Sequence, residues 1–272
     1  MLSVEASLHM QPDAVRRVDR LPVVGEVREF LGQRERTHIV LVCDGNRTWG
    51  NGQFPKVSSR GSYIVGAKRV EESAQFASAL GVTHLSAWLA SPDNLAKRPG
   101  DEMVGLVDVL QKNFAQSAVP AMIDSGVKFQ LVGRRNLSNE AGKNLGAWGV
   151  VTFNRLVDGL EKLQEKSASN TGMTFSMLVN YGGDEEANDI FVNAAKSGNT
   201  IANLTDFKSR LALPDVDLLI RTSGKEHTNG IFPLQMKYGK IHVVPQFWPE
   251  FTGEDLVGAV WDYMGRAHTN GG

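Results

Sequence analysis

Short apolar runs alternate with longer stretches of helical periodicity along most of the chain. Six runs have the length and composition of β-strands and are bounded by Gly, Pro or polar residues: THIVLVCD, VTHLSAWLA, GVKFQLVG, MTFSMLVNYGG, DLLIRTSG and GKIHVVPQF. Amphipathic stretches at 66–81, 101–125 and 147–166, and a further one from about 185, lie between them. Strands separated by helices of this length need crossover connections. The pattern therefore predicts a single α/β domain with a mostly parallel central sheet flanked by helices.

Glycine and proline mark several boundaries in this pattern. Gly81 is expected to end the helix at 66–81, and Pro120 to kink or split the helix at 101–125. Residues 1–36 are polar but carry apolar residues near helical spacing, with Pro22 and Gly25 interrupting them. We expect an N-terminal arm at 1–36 that packs on the body or on a dimer mate, a catalytic domain at 37–266, and a flexible tail at 267–272.

Composition narrows the class of protein. The 272 residues are 42% hydrophobic and carry a formal net charge of −1, as in an ordinary globular protein, and Lys and Arg are spread evenly, which argues against nucleic-acid binding. The single cysteine, Cys43, rules out an internal disulfide. We see no apolar run near the ~18 residues of a membrane span and no signal-peptide core, so we expect a cytoplasmic protein without stable membrane insertion.

Polar side chains directly follow four of the predicted strands. Because parallel strands bind ligands beyond their carboxyl ends, these side chains are expected to share one rim. A carboxylate, the amides of a Gly-containing loop and scattered arginines suit a diphosphate held partly through Mg²⁺. The loop GNRTWGNG has no GK[ST] ending and no GxGxxG follows the first strand, so neither P-loop phosphoryl transfer nor hydride transfer is supported. The rim residues are Asp44, Ser91 with Asn94, Asn180 with Tyr181, and Arg221 with Ser223.

Taken in order, six segments resemble the cis-prenyltransferase family, which comprises undecaprenyl diphosphate synthase-like Z-isoprenyl diphosphate synthases. They are HIVLVCDGNRTW, SPDN, RPGDE, VNYGG, DLLIRTSG and FWPEF, and the resemblance covers nearly all of 37–266. It implies a single α/β domain, usually a homodimer, with two diphosphate sites at the strand ends and an apolar tunnel. One prenyl diphosphate would ionise to an allylic cation, which the double bond of a second substrate attacks before a proton is lost.

The resemblance also implies roles for individual residues. Asp44 matches the catalytic Asp that binds Mg²⁺ at the allylic diphosphate site, and Ser91 with Asn94 match a polar pair near the reacting carbon. Residues matching positions that contact or support the diphosphates are Gly45, Asn46, Trp49, Arg98, Arg221 and Ser223.

The chain departs from the family pattern at several of these positions. Thr48 replaces an Arg, although Arg47 can reach the same phosphate; Tyr63 replaces a His, and Arg60 lies at or beside a loop Arg. After RTSG the family continues E-x-R-x-S-N-F, with a Mg²⁺-binding Glu further on. Alignment without gaps up to the shared WP puts His227 at the Arg, Asn229 at the Ser and Lys240 at the Glu, so that a cation replaces a metal ligand or simply faces solvent.

Three hypotheses follow from these departures. The first is irregular head-to-middle coupling of two prenyl diphosphates to a lavandulyl-type product, with a weakened Mg²⁺ dependence. The second is regular cis elongation of an allylic diphosphate with isopentenyl diphosphate; the substrates considered are dimethylallyl, isopentenyl and geranyl diphosphate. The third is a non-catalytic partner subunit, which has no need of Asp44, Asn46, Ser91 and Asn94. Phe114 and Met122 either plug a short tunnel or are plain core residues.

Overall fold

Six short β-strands pair side by side, all in parallel, and form the central sheet. Their order across the sheet is β3-β4-β2-β1-β5-β6. The computed structural model describes residues 22–228, 230–231 and 234–267. The strands are β1 (His38–Val42), β2 (His84–Ala90), β3 (Lys128–Val132), β4 (Thr174–Val179), β5 (Leu218–Arg221) and β6 (Lys240–Val243).

Helices connect the strands and cover the sheet. The first five are α1 (Val24–Gly32), α2 (Asn46–Gly52), α3 (Ser59–Leu80), α4 (Pro92–Lys97) and α5 (Gly100–Val109). A π-helical segment (Leu110–Ala118) continues α5 and leads into α6 (Val119–Asp124). The remaining helices are α7 (Asn139–Lys166), α8 (Gly183–Lys196), α9 (Leu204–Ser209) and α10 (Gly253–Ala267), and a 3₁₀ turn (Trp248–Glu250) precedes α10. In the part of the chain that the structure describes, no helix is long and apolar enough to cross a membrane.

The two faces of the sheet bury cores of unequal size. Alternate residues of β1 show this, since Ile39 and Leu41 belong to the larger core while Val40 and Val42 belong to the smaller one. The larger core contains the buried faces of α1, α3, α5, α7 and α10. Because both faces are covered, each strand reads in sequence as a continuous apolar run.

The predicted fold class is confirmed, and most predicted elements are present with longer helices than the periodicity indicated. Gly81 ends α3 with φ of 91°, as expected for a glycine at this position. Helix α1 continues through Gly25, which was expected to interrupt it. Residues 1–21 of the predicted arm and 268–272 of the predicted tail lie outside the described residues, so the proposed domain limits stay predictions.

Pro120 acts differently from the expected kink or break. Helical structure runs without interruption from Gly100 to Asp124, but the segment before Pro120 widens to the π-helical pattern. The Val119 N–H donates to the Phe114 carbonyl, five residues back. Because a proline ring collides with the carbonyl four residues before it, the wider turn lets the helix continue past Pro120.

A buried histidine ties β1 to its neighbours at the amino-terminal edge of the sheet. Nε2 of His38 lies 2.8 Å from the Ser86 hydroxyl, and its Nδ1 lies 3.2 Å from the Pro214 carbonyl. Burial, reinforced by the nearby His84, lowers the pKa of His38 from 6.5 to about 3. The folded protein therefore keeps this ring neutral at pH values where the unfolded chain protonates it.

We expect this histidine to make stability fall as the solution is acidified. The unfolded chain binds the proton near pH 6.5 and the folded protein near pH 3, so the free energy of unfolding decreases across this window, by at most about 1.4 kcal/mol per pH unit for one site. Urea unfolding between pH 7 and pH 4 should show a shallower dependence in His38→Gln than in wild type. The control is His242→Gln, at a half-buried histidine paired with Asp262. Equal slopes in His38→Gln and wild type would contradict the assignment.

Candidate active site

A cavity of about 300 Å³ opens at the carboxyl ends of β1, β2 and β5. Eight residues predicted for the site line it: Asp44, Gly45, Asn46, Arg47, Tyr63, Asn94, Arg98 and Ser223. Its lining also includes Lys225 and Phe247, which were not predicted, and apolar residues of α3, α5 and the π-helical segment. Of the residues expected at the rim, Asp44, Asn94 and Ser223 therefore line one cavity.

The loop that carries Asp44 is fixed by its backbone. The Thr222 hydroxyl donates to the Asp44 carbonyl at 2.8 Å and accepts from the Asp44 N–H at 3.1 Å. The Trp248 N–H donates to the same carbonyl at 2.9 Å. Gly45 has φ of 95°, and a Cβ there would lie 2.6 Å from the Phe247 ring, so only glycine fits. The RTSG and FWPEF segments thus hold the Asp44 loop in place.

A second close approach places Asn46 against helix α3. Its side-chain amide donates to the Cys43 carbonyl at 2.9 Å, and its Oδ1 lies against Gly66, where a Cβ would come within 2.2 Å of it. The Trp248 indole donates to the Gly66 carbonyl at 2.8 Å. A residue without a Cβ is therefore needed at position 66 for α2, α3 and the 3₁₀ turn to pack this closely.

The Asp44 carboxylate is bound by two cations. Its Oδ2 accepts from Lys225 Nζ at 2.8 Å and from Arg221 Nη2 at 3.0 Å, while its Oδ1 accepts from the Gly45 N–H at 2.8 Å. Burial alone would raise the pKa of Asp44, but the hydrogen bonds and charges of Lys225 and Arg221 outweigh it and lower the pKa. Asp44 is therefore an ionised carboxylate with both oxygens engaged.

Arg221 is a buried cation with one donor left over. Only 1% of its side chain is exposed, and its Nη1 donates to the His227 carbonyl and lies 3.2 Å from His227 Nδ1. Its Nε is buried without a hydrogen-bond partner. Arg221 is not part of the cavity lining, so it acts on the site through the Asp44 carboxylate that it binds.

Ser91 and Asn94 form the start of helix α4. The Ser91 hydroxyl accepts from the Asn94 N–H at 3.0 Å, and Asn94 Oδ1 accepts from the Ser91 N–H at 3.4 Å, which makes a capping box. Asn94 lines the cavity while Ser91 supports it from behind. The pair thus has a structural role besides the predicted chemical one.

Glu102 gathers three of the predicted ligand-binding residues. It accepts from the Tyr63 hydroxyl at 2.6 Å and pairs with Arg47 at 3.4 Å and Arg98 at 3.8 Å. Burial, and then the nearby Glu102, raise the pKa of Tyr63, so the phenol keeps its proton and acts as a donor. Sequence reasoning noted RPGDE as a motif but gave Glu102 no role.

Several predicted residues lie away from the cavity lining. Arg60 is half-exposed and pairs with Asp108 on α5 at 2.8 Å, and Trp49 packs outside the lining. Lys240 begins β6 and pairs in register with Leu218, which places it at the amino-terminal edge of the sheet, opposite Asp44. The structure thus does not bring Lys240 to the site. Asn229 lies outside the described residues.

The VNYGG motif is structural. Asn180 has φ of 54°, and its side-chain amide donates to the carbonyls of Arg134 and Asn136. Tyr181 is buried in the smaller core, where its hydroxyl donates to Glu186. These contacts hold the ends of β3 and β4 together and supply no ligand to the cavity.

Lys225 is the main residue that sequence reasoning missed. It directly follows RTSG, where the family pattern has Glu, so the signal was present in the sequence. The alignment without gaps instead indicated Lys240, at the position of the Mg²⁺-binding Glu of the family pattern. Half of the Lys225 side chain is exposed, and its ammonium reaches across to the Asp44 loop.

One carboxylate is available for the Mg²⁺ that the family pattern implies. Asp44 is the one acidic residue among the described residues that line the cavity, and no group of three or more His, Cys, Asp or Glu in the described part of the chain is arranged to hold a metal. Mg²⁺ is commonly held by one carboxylate with water and substrate phosphates. Oδ1 of Asp44 accepts a single hydrogen bond, whereas Oδ2 is available to a metal only when Lys225 or Arg221 has released it.

The protein is thus an α/β protein with a cavity at the carboxyl ends of its parallel strands, lined by both charged and apolar side chains. Comparison with known proteins agrees. The family model described as "Putative undecaprenyl diphosphate synthase" matches residues 42–271. An isoprenyl transferase of Listeria monocytogenes serotype 4b is 30% identical over 249 residues, covering 86% of this chain and 90% of the relative. The chain belongs to this undecaprenyl diphosphate synthase-like family of prenyltransferases.

Other relatives and solved structures agree with this assignment. A ditrans,polycis-undecaprenyl-diphosphate synthase of Micrococcus luteus is 28% identical and covers 86% of this chain and 91% of the relative. The structure of lavandulyl diphosphate synthase from Lavandula x intermedia with dimethylallyl diphosphate superposes with a TM-score of 0.70 at 24% identity, covering 84% of this chain and 94% of that one. A probable undecaprenyl diphosphate synthase of Campylobacter jejuni gives 0.65 at 18% identity, covering 85% and 96%. At these identities the solved structures show a shared fold.

We expect Gly66→Ala to destabilise the protein and disturb the Asp44 loop. The added methyl would push on Asn46 Oδ1 and the Trp248 indole, an overpacking that costs about 1–3 kcal/mol. Chemical unfolding measures the loss. The matched control is Gly258→Ala in α10, where nothing lies within 4 Å of the new Cβ, so the gain in helix propensity of about 1 kcal/mol should appear unopposed. Similar shifts in the two variants would count against the close packing at Gly66.

Proposed function

We propose that this protein condenses two short prenyl diphosphates with loss of diphosphate, by irregular head-to-middle coupling. The observation that carries the proposal of prenyl transfer is the layout of the cavity, in which a cationic end leads into an apolar end along one helix face. Arg98 lies just before α5, and Leu106, Leu110 and Phe114 follow at intervals of four residues on α5 and the π-helical segment; all four line the cavity. Polar side chains come first and apolar ones follow, which matches a diphosphate head and a hydrocarbon tail.

Charge at the polar end favours an anion. Arg47, Arg98 and Lys225 line it and Arg221 lies behind Asp44, so four cations surround two carboxylates, Asp44 and Glu102. Backbone amides of the Gly45 loop add further donors. A departing diphosphate gains negative charge as its carbon–oxygen bond breaks, and donors fixed in advance stabilise that charge.

At the apolar end the walls suit a carbocation. Leu106, Leu110 and Phe114 are buried and present no hydroxyl or amine that could trap the cation. Exclusion of water from this part of the cavity would protect the cation until the second substrate attacks. The modest volume favours short chains, since Phe114 limits the apolar end.

Mg²⁺ bound between Asp44 and the donor diphosphate would supply further stabilisation of the leaving group. The other contributions come from the chain itself. Tyr63 keeps its proton and donates to Glu102, which orients Arg98 toward the polar end. Asn94, held by the capping box, presents its side chain beside the reacting groups.

The lysine at position 225 favours irregular coupling. In such coupling the acceptor is also an allylic diphosphate, and it must stay intact while the donor ionises. A second metal on the acceptor diphosphate would promote its loss, whereas an ammonium holds it as a point charge. Lys225 stands directly after RTSG, where the family pattern has Glu, so a cation replaces a carboxylate beside Asp44.

Regular cis elongation with isopentenyl diphosphate is the second candidate. The names of the curated relatives, isoprenyl transferase and undecaprenyl diphosphate synthase, favour it. Analysis of products separates the two. The enzyme is incubated with Mg²⁺ and dimethylallyl diphosphate alone, then with isopentenyl or geranyl diphosphate added, and the products are identified by mass spectrometry and NMR.

We expect a branched product from allylic substrates alone and a loss of turnover of about 100-fold or more in Asp44→Asn, which keeps the shape of the side chain but removes its charge. A linear Z product that requires isopentenyl diphosphate would establish the second candidate. No product from any pair, with folded protein by circular dichroism, would favour a non-catalytic partner subunit.

Phe114→Ala should shift the preferred substrate toward longer chains. Removing the ring extends the apolar end, so kcat/KM for geranyl relative to dimethylallyl diphosphate should rise by about tenfold or more. The control is Phe153→Ala, a fully buried core residue that is not part of the cavity lining, because both variants lose comparable packing. An unchanged ratio in Phe114→Ala, or the same rise in Phe153→Ala, would contradict the role of Phe114.

A further inference from the structure

The carboxylate expected to bind metal accepts hydrogen bonds from three donors of its own chain. They are the Gly45 N–H on Oδ1, and Arg221 and Lys225 on Oδ2. A divalent cation that bound Oδ2 would have to displace Arg221 or Lys225, and one bound at Oδ1 would still lie beside both cations. The question is which donor can leave.

The two cations differ in freedom to move. Arg221 is 1% exposed, is held by the His227 carbonyl and sits at the end of β5. Lys225 is 49% exposed, lies in a loop and reaches Asp44 through a flexible four-carbon chain. Among the described residues, its ammonium pairs with Asp44 alone. Lys225 is therefore the donor that can swing away.

A lysine ammonium and a divalent cation compete at this position. If a metal bound Asp44 while Lys225 stayed in place, two positive charges would lie within a few ångströms of each other at a half-buried oxygen, where screening is weak. Arg47 and Arg98, which line the same cavity, attract the anionic ligand that would draw Lys225 from Asp44. An arriving diphosphate therefore removes the lysine and supplies metal ligands of its own.

We propose that Lys225 is the counter-ion of Asp44 and that its positive charge keeps divalent cations from binding this carboxylate. When a diphosphate binds, the Lys225 ammonium pairs with the diphosphate instead, and Asp44 becomes available to the metal. Metal loading is thus coupled to diphosphate binding. The nature of the diphosphate rests on the proposed function, but the competition between Lys225 and a metal at Asp44 does not.

Metal binding to the substrate-free protein tests this directly. Mn²⁺ is the probe, because its free concentration can be followed by electron paramagnetic resonance. Wild type should bind Mn²⁺ weakly, and Lys225→Gln should bind it at least about tenfold more tightly, since a like charge beside the metal has been removed. Adding Asp44→Asn to Lys225→Gln should abolish the gain, which locates the ion at Asp44.

Two further variants separate charge from other effects. Lys225→Arg keeps the charge and should remain close to wild type. Lys166→Gln removes an equally exposed lysine, paired with Asp124 on the outside of the molecule, and should leave Mn²⁺ binding unchanged. Lys225 is exposed, so its variants are expected to fold, and thermal unfolding checks this.

The Mn²⁺-binding results test the proposal without any measurement of enzyme turnover. Tight Mn²⁺ binding by substrate-free wild type that Asp44→Asn removes, or equal Mn²⁺ affinity in Lys225→Gln and wild type, would overturn the proposal. As a second arm, affinity for inorganic diphosphate in the presence of EDTA should fall several-fold in Lys225→Gln; an unchanged affinity would show that the ammonium does not transfer to the anion. Because none of these measurements uses prenyl substrates, the proposal can fail or hold whatever product analysis shows.

Discussion

The carboxylate of Asp44, with two cations on one oxygen, is the interaction on which the arrangement of the site depends. It joins the end of β1 to the end of β5, since Arg221 is the last residue of that strand. Thr222 and Trp248 then fix the backbone on either side of the same residue. The Asp44–Arg221 ion pair thus joins segments about 180 residues apart in sequence, and the Trp248 hydrogen bond joins segments about 200 residues apart. The Asp44 loop has little freedom to move without breaking these contacts.

Burial makes this interaction costly and therefore informative. A guanidinium as deeply buried as that of Arg221 is tolerated only when it is paired, and replacing the pair by apolar residues commonly gives equal or greater stability. Stability alone does not explain why the chain places these charges in its interior. The pair places the Asp44 carboxylate in a cavity that Arg47, Arg98 and Lys225 also line, and buried charges of this kind are typical of functional sites.

The general architecture was readable from the sequence because both faces of the sheet are covered. Each strand is a continuous apolar run, and the residues directly after the strands meet at one rim, as the position of Asp44, Asn94 and Ser223 shows. Helix α10 was not predicted, although its 15 residues are amphipathic. Helix α2 was missed because four of its seven residues are glycine or asparagine, which read as loop. Short helices stabilised by tertiary contacts leave little periodic signal.

The contacts that individual side chains make were harder to predict from the sequence than the positions of the strands and loops that carry them. Lys240 was assigned by counting back from a shared motif, but β6 runs parallel to β5, so a residue at its start lies at the amino-terminal edge whatever its alignment. Lys225 stands four residues after the end of β5, at the same edge as Asp44, and its length lets it reach Asp44. Counting residues gives an alignment, whereas the direction of the strand decides which edge a residue reaches.

The apolar end of the cavity shows how a distant residue shapes the site. Pro120 does not line the cavity, yet the chain accommodates it by widening the preceding turns to π-helical hydrogen bonding. Leu110 and Phe114 lie in those widened turns, so their angular position around the helix differs from that in a regular α-helix. Because a π-turn advances the next residues by a smaller angle, Leu110 and Phe114 stay on the cavity side together with Leu106 of α5. The proline thus helps to determine the shape of the apolar part of the cavity.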